Sequence, residues 1–425
     1  MIGFGAGVLS ALFLFVLDLA TFERVSHPWL IYGLPFAGAV IALLYDRFGP
    51  DVERGTPMVL EQIHGAAESG SHGKAGSDVE ACFEVAAAPG AKTAGPGAGA
   101  DALIRFRLVP LILIGTWLTH LFGGSAGREG TAVQMGAAFA DQISRQTSQF
   151  GFANLGRREL LLMGLSAGFG AVFGVPWAGS IFGIEVVTVG RLEWRLWPAC
   201  ALASWLGHLT VLMCGVHHAA YPGIDAWSLQ FVLSVLVSGL IFGLTARVFS
   251  LAMHFVNHES RRWIRSNPLR AFVGGVLVAF GFWLLATDRY AGLGVPVIQN
   301  SLSQVVPALD FAWKSLFTVL TLGFGLKGGE VTPLLFIGST LGNTLSLILP
   351  APLSLLASVG LVAVFAGAAN VPLAGAVMAM ELFGYHIGPL ALVGCLASTF
   401  VSGFRGIYPT QLIGRSHRKL RLRRR

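Results

Sequence analysis

Long apolar stretches recur along the chain at 4–20, 28–45, 108–122, 158–174, 196–214, 228–251, 272–286, 353–369 and 388–404. Each approaches the roughly 20 mostly apolar residues that cross a bilayer as one helix. Four shorter stretches, 129–140, 176–189, 333–348 and 372–384, are interrupted by Gly or Pro. They predict broken or re-entrant helices. Such breaks at membrane depth are tolerated only inside protein or beside a watery cavity. The predicted fold is therefore an all-α polytopic membrane protein whose middle holds broken helices.

Composition agrees with that pattern. Of 425 residues, 54% are hydrophobic and 12% charged, and mean hydropathy is +0.68. Soluble domains average about 25% charged residues. Fifty-five glycines suit close helix packing and unwound segments. The net charge of +7 equals the seven Lys and Arg of residues 415–425, so the rest of the chain is neutral. A basic tail beside a membrane segment reads as a positive-inside cytoplasmic anchor rather than a nucleic-acid arm. Met1 to Gly5 carry no basic run and no cleavage site follows, so the first apolar stretch reads as a transmembrane helix and not a removed signal. Residues 65–101, rich in Gly, Ala and Ser, read as a flexible inserted loop. Cys82, Cys200, Cys214 and Cys395 are scattered, and with His64 and His72 they show no metal spacing. No cofactor is expected.

The two halves of the chain echo each other. Val175-Pro176-Trp177-Ala178-Gly179 is followed by Glu185, and Val371-Pro372-Leu373-Ala374-Gly375 by Glu381, at an offset of 196 residues (176 to 372). Glu129-Gly130-Thr131 has a looser echo in Glu330-Val331-Thr332, at an offset of 201 (129 to 330). Two matches in the same order predict a duplicated fold, with repeats of about 1–215 and 225–414 within a 1–414 transmembrane domain. Buried acids are functional candidates by default in membranes. For Glu185 and Glu381 the competing reading is a cap on a neighbouring helix.

The strongest chemical signal is residues 123–136. A glycine-rich turn (Gly123, Gly124, Gly127) opens an apolar helix that carries Arg128 and Glu129. Uncovered N–H groups at a helix N-terminus form an anion site from backbone alone. Glu129, itself an anion, would occupy that site when ionised and vacate it when protonated. The bland alternative is that Glu129 only caps the helix. Gly328-Gly329-Glu330-Val331-Thr332-Pro333 repeats the turn in the second half. Tyr408, beside Pro409, is either an anion donor or an interfacial belt tyrosine.

Together these stretches resemble the CLC family of anion channels and proton-coupled anion antiporters. Gly127-Arg128-Glu129-Gly130 is similar to the family's gate motif. The Pro-x-Ala-Gly stretches at 167–185 and 365–381 match its paired helices, and Tyr408 matches the tyrosine at its central anion. Glu330 and Thr332 place the chain nearest the fluoride/proton antiporter branch. The resemblance implies inverted repeats around a central anion pathway, a homodimer in a bacterial-type plasma membrane, and a small anion plus protons as cargo. Backbone around Gly55, Thr56, Gly127, Arg128, Gly130, Gly328, Gly329 and Val331 would bind the anion, with Glu129 as gate and Glu330, Thr332 and Tyr408 on the proton and anion route. Two departures stand out. Val186 occupies the place of the internal proton glutamate of chloride antiporters, and Gly55-Thr56-Pro57-Met58 matches neither branch's filter segment. A chloride channel or chloride/proton antiporter is the alternative. A remoter one is an intramembrane serine hydrolase, because Gly123-Gly124-Ser125-Ala126-Gly127 spells a nucleophile elbow; that motif needs a preceding strand and a base. A scaffold without transport would leave the echoed glutamates unexplained.

Overall fold

The computed structural model describes residues 1–50, 52, 55–69, 104, 106–149, 156–223 and 228–414. Most of the 65–101 insertion, with His72 and Cys82, and the 415–425 tail lie outside the described residues. The first half forms α1 (Ile2–Ser26), α2 (Leu34–Phe48), α3 (Thr56–Ser69), α4 (Leu108–Leu121), α5 (Glu129–Gln149), α6 (Arg157–Phe173), α7 (Pro176–Glu185) and α8 (Trp197–Met213). The second forms α9 (Val232–Trp263), α10 (Asn267–Leu285), α11 (Val295–Ser301), α12 (Asp310–Gly323), α13 (Val331–Leu345), α14 (Leu353–Ala369), α15 (Pro372–Phe383) and α16 (Gly388–Ser402).

Neighbours repeat between the halves. α1 packs on α8, α5 on α6 and α6 on α7, as α9 packs on α16, α13 on α14 and α14 on α15. The halves join where an element meets its own counterpart: α2 on α10, α5 on α13, α7 on α15. Only a two-fold relation produces such self-pairs. The local punctuation repeats too. α6 ends on Gly174 at φ 74° and α14 on Asn370 at φ 57°, each followed by Val-Pro. Gly and Asn are the residues that accept this left-handed cap, and proline suits the first turn of the next helix.

The sense of the symmetry is set by two carboxylates. Glu185, at the end of α7, accepts Leu373 N at 3.0 Å and Ala374 N at 2.8 Å, in the first turn of α15. Glu381, near the end of α15, accepts Trp177 N at 2.9 Å and Ala178 N at 2.8 Å, in the first turn of α7. The two helices therefore run antiparallel, and the repeats are inverted. Here the capping reading of both acids holds.

Helices α6 and α14 form the centre. Every residue of α14 from Leu355 to Ala369 is buried. Phe169 of α6 stacks on Phe182 at 4.2 Å between centroids and faces Phe365 of α14 at 5.9 Å, fastening the halves together. Outer helices present apolar side chains outward, as with Leu233, Leu240, Leu244, Leu251 and Phe255 on α9. Among the described residues, six helices are long and apolar enough to cross a membrane.

Two expectations change. First, α12 is absent from the apolar stretches. Its pattern is broken by Asp310 and Lys314, yet both are fully buried. Asp310 accepts Arg289 Nη2 at 2.7 Å and the Tyr290 hydroxyl at 2.9 Å, and Lys314 Nζ donates to the Tyr290 and Gly292 carbonyls at 3.0 and 2.6 Å. Satisfied charges behave as core here. Second, α5 starts at Glu129 and α13 at Val331, an offset of 202 (129 to 331) rather than 201. Glu129 and Glu330 are therefore not symmetry mates. Thr131 faces Thr116 of α4, with hydroxyls 3.0 Å apart, while Thr332 faces Glu129.

Candidate functional site

The two glycine-rich turns cross each other. Gly127 N donates to Gly329 O at 2.6 Å and Gly329 N to Gly127 O at 2.8 Å, an antiparallel bridge. Glycine is required for this approach: a Cβ at Gly127 would lie 2.9 Å from Gly329 O, and one at Gly329 would lie 2.8 Å from Gly130 N. The bridge brings the N-termini of α5 and α13 side by side. It also corrects an expectation, since the Gly127 and Gly329 amides serve each other and are not donors for an anion. Gly328 packs on Ala126, and buried Val331 begins α13 where Glu129 begins α5.

Glu129 is 1% exposed. Its Oε2 accepts Thr332 N at 3.0 Å, the Thr332 hydroxyl, and Arg128 N at 3.1 Å. Arg128 Nε lies 3.7 Å from Oε1, outside hydrogen-bond range. Thr332 sits in the first turn of α13, so the carboxylate caps the helix of the opposite repeat. Main-chain N–H groups and a helix N-terminus favour negative charge, and hydrogen bonds to a charged acceptor are the strong kind.

The other predicted residues gather next to the crossing, around Gly130. Glu330 immediately precedes α13 and is partly buried. A Cβ at Gly130 would lie 3.6 Å from Glu330 Oε2 and 3.9 Å from Thr56 Oγ1, so these two groups share one small space. Thr56 is the first residue of α3, and Gly55 turns into it at φ 63°, which glycine adopts without strain. Tyr408 is 3% exposed and within electrostatic reach of both Glu330 and Glu129, so it faces the site and not a membrane surface. Its segment is fixed by Ile407 N on Ala368 O at 2.8 Å and by Gln411 Nε2 on the Val186 and Ala369 carbonyls at 2.7 and 2.8 Å. Beyond Gln411 the chain pairs Leu412–Ile413 (β2) in parallel with Thr188–Val189 (β1).

A cavity of about 540 Å³ that reaches Arg128 is also lined by Arg24, Arg289, His217 and His218, with Asp18 and Asp288. Ser125 is not placed as a nucleophile. It follows a helix, its hydroxyl pairs with Thr318 Oγ1 at 3.0 Å, and His120 Nδ1 bonds Thr116 O at 2.8 Å.

Sequence reasoning missed Gln134. It lies one helical turn beyond Gly130 on the same face of α5, and its Nε2 donates to Thr56 Oγ1 at 3.0 Å. The available signal was a lone amide four residues after a motif glycine.

A family model described as "Voltage gated chloride channel" matches residues 37–403. A protein of Pseudomonas syringae pv. tomato named "Chloride/fluoride channel protein" is 42% identical over 428 residues, covering 98% of this chain and 86% of that one. A solved CLC-type fluoride/proton antiporter superposes with a TM-score of 0.85 at 29% identity, covering 97% and 96% of the two chains. A slow cyanobacterial Cl⁻/H⁺ antiporter shares the fold with a TM-score of 0.75 at 19% identity, covering 100% and 97%. With its inverted repeats, crossed glycine turns and a glutamate seated among amide donors, the chain belongs to the voltage gated chloride channel (CLC) family of anion transport proteins.

Proposed function

We propose that this membrane protein exports fluoride in exchange for protons, with Glu129 as the gate. The observation that carries the reading is the three-donor seat of Glu129 Oε2, made by Thr332 N, the Thr332 hydroxyl and Arg128 N. A seat that holds a carboxylate suits a small dehydrated anion equally well. Ionised Glu129 fills it. Protonation removes the charge that holds the side chain there, the acid swings away, and the anion takes the same donors. Glu330 receives the proton next to the crossing, and Thr56 and Tyr408 offer hydroxyl donors to the anion there. Fluoride is the smallest halide and the strongest acceptor, which suits a seat of short, charge-assisted hydrogen bonds. The likeness to the solved CLC-type fluoride/proton antiporter supports the same cargo.

The likeness to the Pseudomonas chloride/fluoride channel protein favours, as a second reading, a protein that also passes chloride. Two protomers pair through their outward apolar faces, each with its own pathway, and the basic tail lies on the cytoplasmic side of a bacterial plasma membrane.

The test is fluoride efflux from proteoliposomes with external pH recorded together, and with chloride in parallel. Wild-type protein should move protons inward as fluoride leaves. Glu129→Gln should fold, yet lose proton movement at least tenfold. Fluoride efflux by wild-type protein without proton movement would overturn the coupling, and unchanged coupling in Glu129→Gln would overturn the gate.

A further inference from the structure

We infer that Gln134 is a positioning residue that sets anion selectivity by aiming the Thr56 hydroxyl into the space shared with Glu330. This rests on the anion route proposed above. Gln134 projects from α5 one turn beyond Gly130 and is 5% exposed. Its Nε2 donates to Thr56 Oγ1 at 3.0 Å. A hydroxyl owns one proton and two lone pairs. With a lone pair engaged by the amide, the Thr56 proton turns away from Gln134. Glu330 Oε2 is the polar group that borders the same space, 3.6 Å from the position a Cβ at Gly130 would take against 3.9 Å for Thr56 Oγ1. An anion entering that space therefore meets an O–H already turned toward it.

The second observation is the amide's other end. Gln134 Oε1 is buried without a hydrogen-bond partner among the described residues. It lies against the turn at Gly55, where a Cβ would come within 3.3 Å of Oε1 and 3.0 Å of Nε2. Reversing the amide would pair Oε1 with the Thr56 proton and leave Nε2 unpaired instead, so the site offers the amide one partner either way and Gln134 uses it as a donor. That reversal would draw the hydroxyl donor off the pathway. Gln134 thus faces Thr56 with its donor end, at the expense of its acceptor. Fluoride, the stronger acceptor, gains more from a directed donor than chloride does, so the arrangement favours fluoride over chloride.

The test compares Gln134→Glu, Gln134→Met, Thr56→Val and the double variant Gln134→Glu/Thr56→Val in proteoliposome flux, with fluoride and chloride measured separately. A glutamate can only accept when ionised, so Gln134→Glu captures the Thr56 proton. It should lower the fluoride-to-chloride flux ratio by at least about tenfold, the equivalent of 1.4 kcal/mol. The loss should show as a raised KM for fluoride with little change in maximal flux. Gln134→Met, similar in length and without a donor, should lower the ratio less, and it carries the test if the Glu variant does not fold. In the Thr56→Val background Gln134→Glu should have no further effect. Ratios within about twofold of wild type in both single variants, or full additivity with Thr56→Val, would overturn the inference. Wild-type and Glu129→Gln protein are measured alongside: loss of Glu129 dependence counts against the anion route itself, whereas intact Glu129 dependence with silent Gln134 variants counts against the positioning role alone.

Discussion

The inverted repeats meet through carboxylates in two places, and the two are built differently. At α7 and α15 the contact is symmetric: Glu185 and Glu381 each accept two main-chain N–H groups from the opposite helix. At α5 and α13 it is one-sided. Glu129 reaches across to Thr332, but its symmetry mate is Val331, which reaches nothing polar. A symmetric pair of caps fastens two halves. A single carboxylate seated on donors, with no reciprocal partner, can leave without unfastening them. The same residue type thus clamps where the symmetry is kept and, on the function proposed above, gates where it is broken.

Breaking the clamp should have the largest effect on the fold. Glu185→Ala leaves the buried Ala374 N–H and the partly buried Leu373 N–H unpaired, at up to about 1–3 kcal/mol each. It should lower the melting temperature of the detergent-solubilised protein sharply and reduce the yield of monodisperse material. Glu381→Ala should cost less, because Glu381 is only partly buried and Trp177, which it caps, is 42% exposed. Equal melting of Glu185→Ala and wild type would remove the distinction between the two contacts.

Loosening the gate should leave the fold intact and change transport instead. Thr332→Val removes the hydroxyl donor to Glu129 but keeps the Thr332 amide. A hydrogen bond to a charged group is worth about 1.5–3 kcal/mol, so ionised Glu129 should be held at least about tenfold less tightly. Fluoride flux should become less dependent on proton movement while thermal stability shifts little. A large stability loss with coupling intact would make Thr332 a structural residue.

The sequence analysis read the clamp better than the gate. Val-Pro-x-Ala-Gly and its trailing glutamate carry their own helix start and cap, so the pairing of 176–185 with 372–381 was visible in one frame. The gate's symmetry was not, because the acids at 129 and 330 suggested a register one residue away from the one the backbone adopts. Only the Gly127–Gly329 bridge fixes it, and that depends on two turns distant in sequence meeting in space. The same bridge consumes amides that the motif alone offered to the anion. Helix α12 was hidden because Asp310 and Lys314 interrupt its apolar pattern, and their partners Arg289 and Tyr290 come from the connection between α10 and α11. Gln134 was hidden because a lone amide in a helix carries no spacing signal until Thr56 is seen beside it.

The central claim is that Glu129 and a halide take turns on the same donors. An anion that displaces the ionised carboxylate leaves Glu129 in a less favourable place for charge, so binding should draw a proton onto the protein. The direct measurement is proton uptake when fluoride is added to purified protein in weakly buffered detergent solution near neutral pH. Wild type should take up protons, toward one per fluoride bound, and its fluoride affinity should weaken as pH rises. Glu129→Gln should bind fluoride with neither effect. Binding by wild type without proton uptake, or equal uptake by both proteins, would contradict the account.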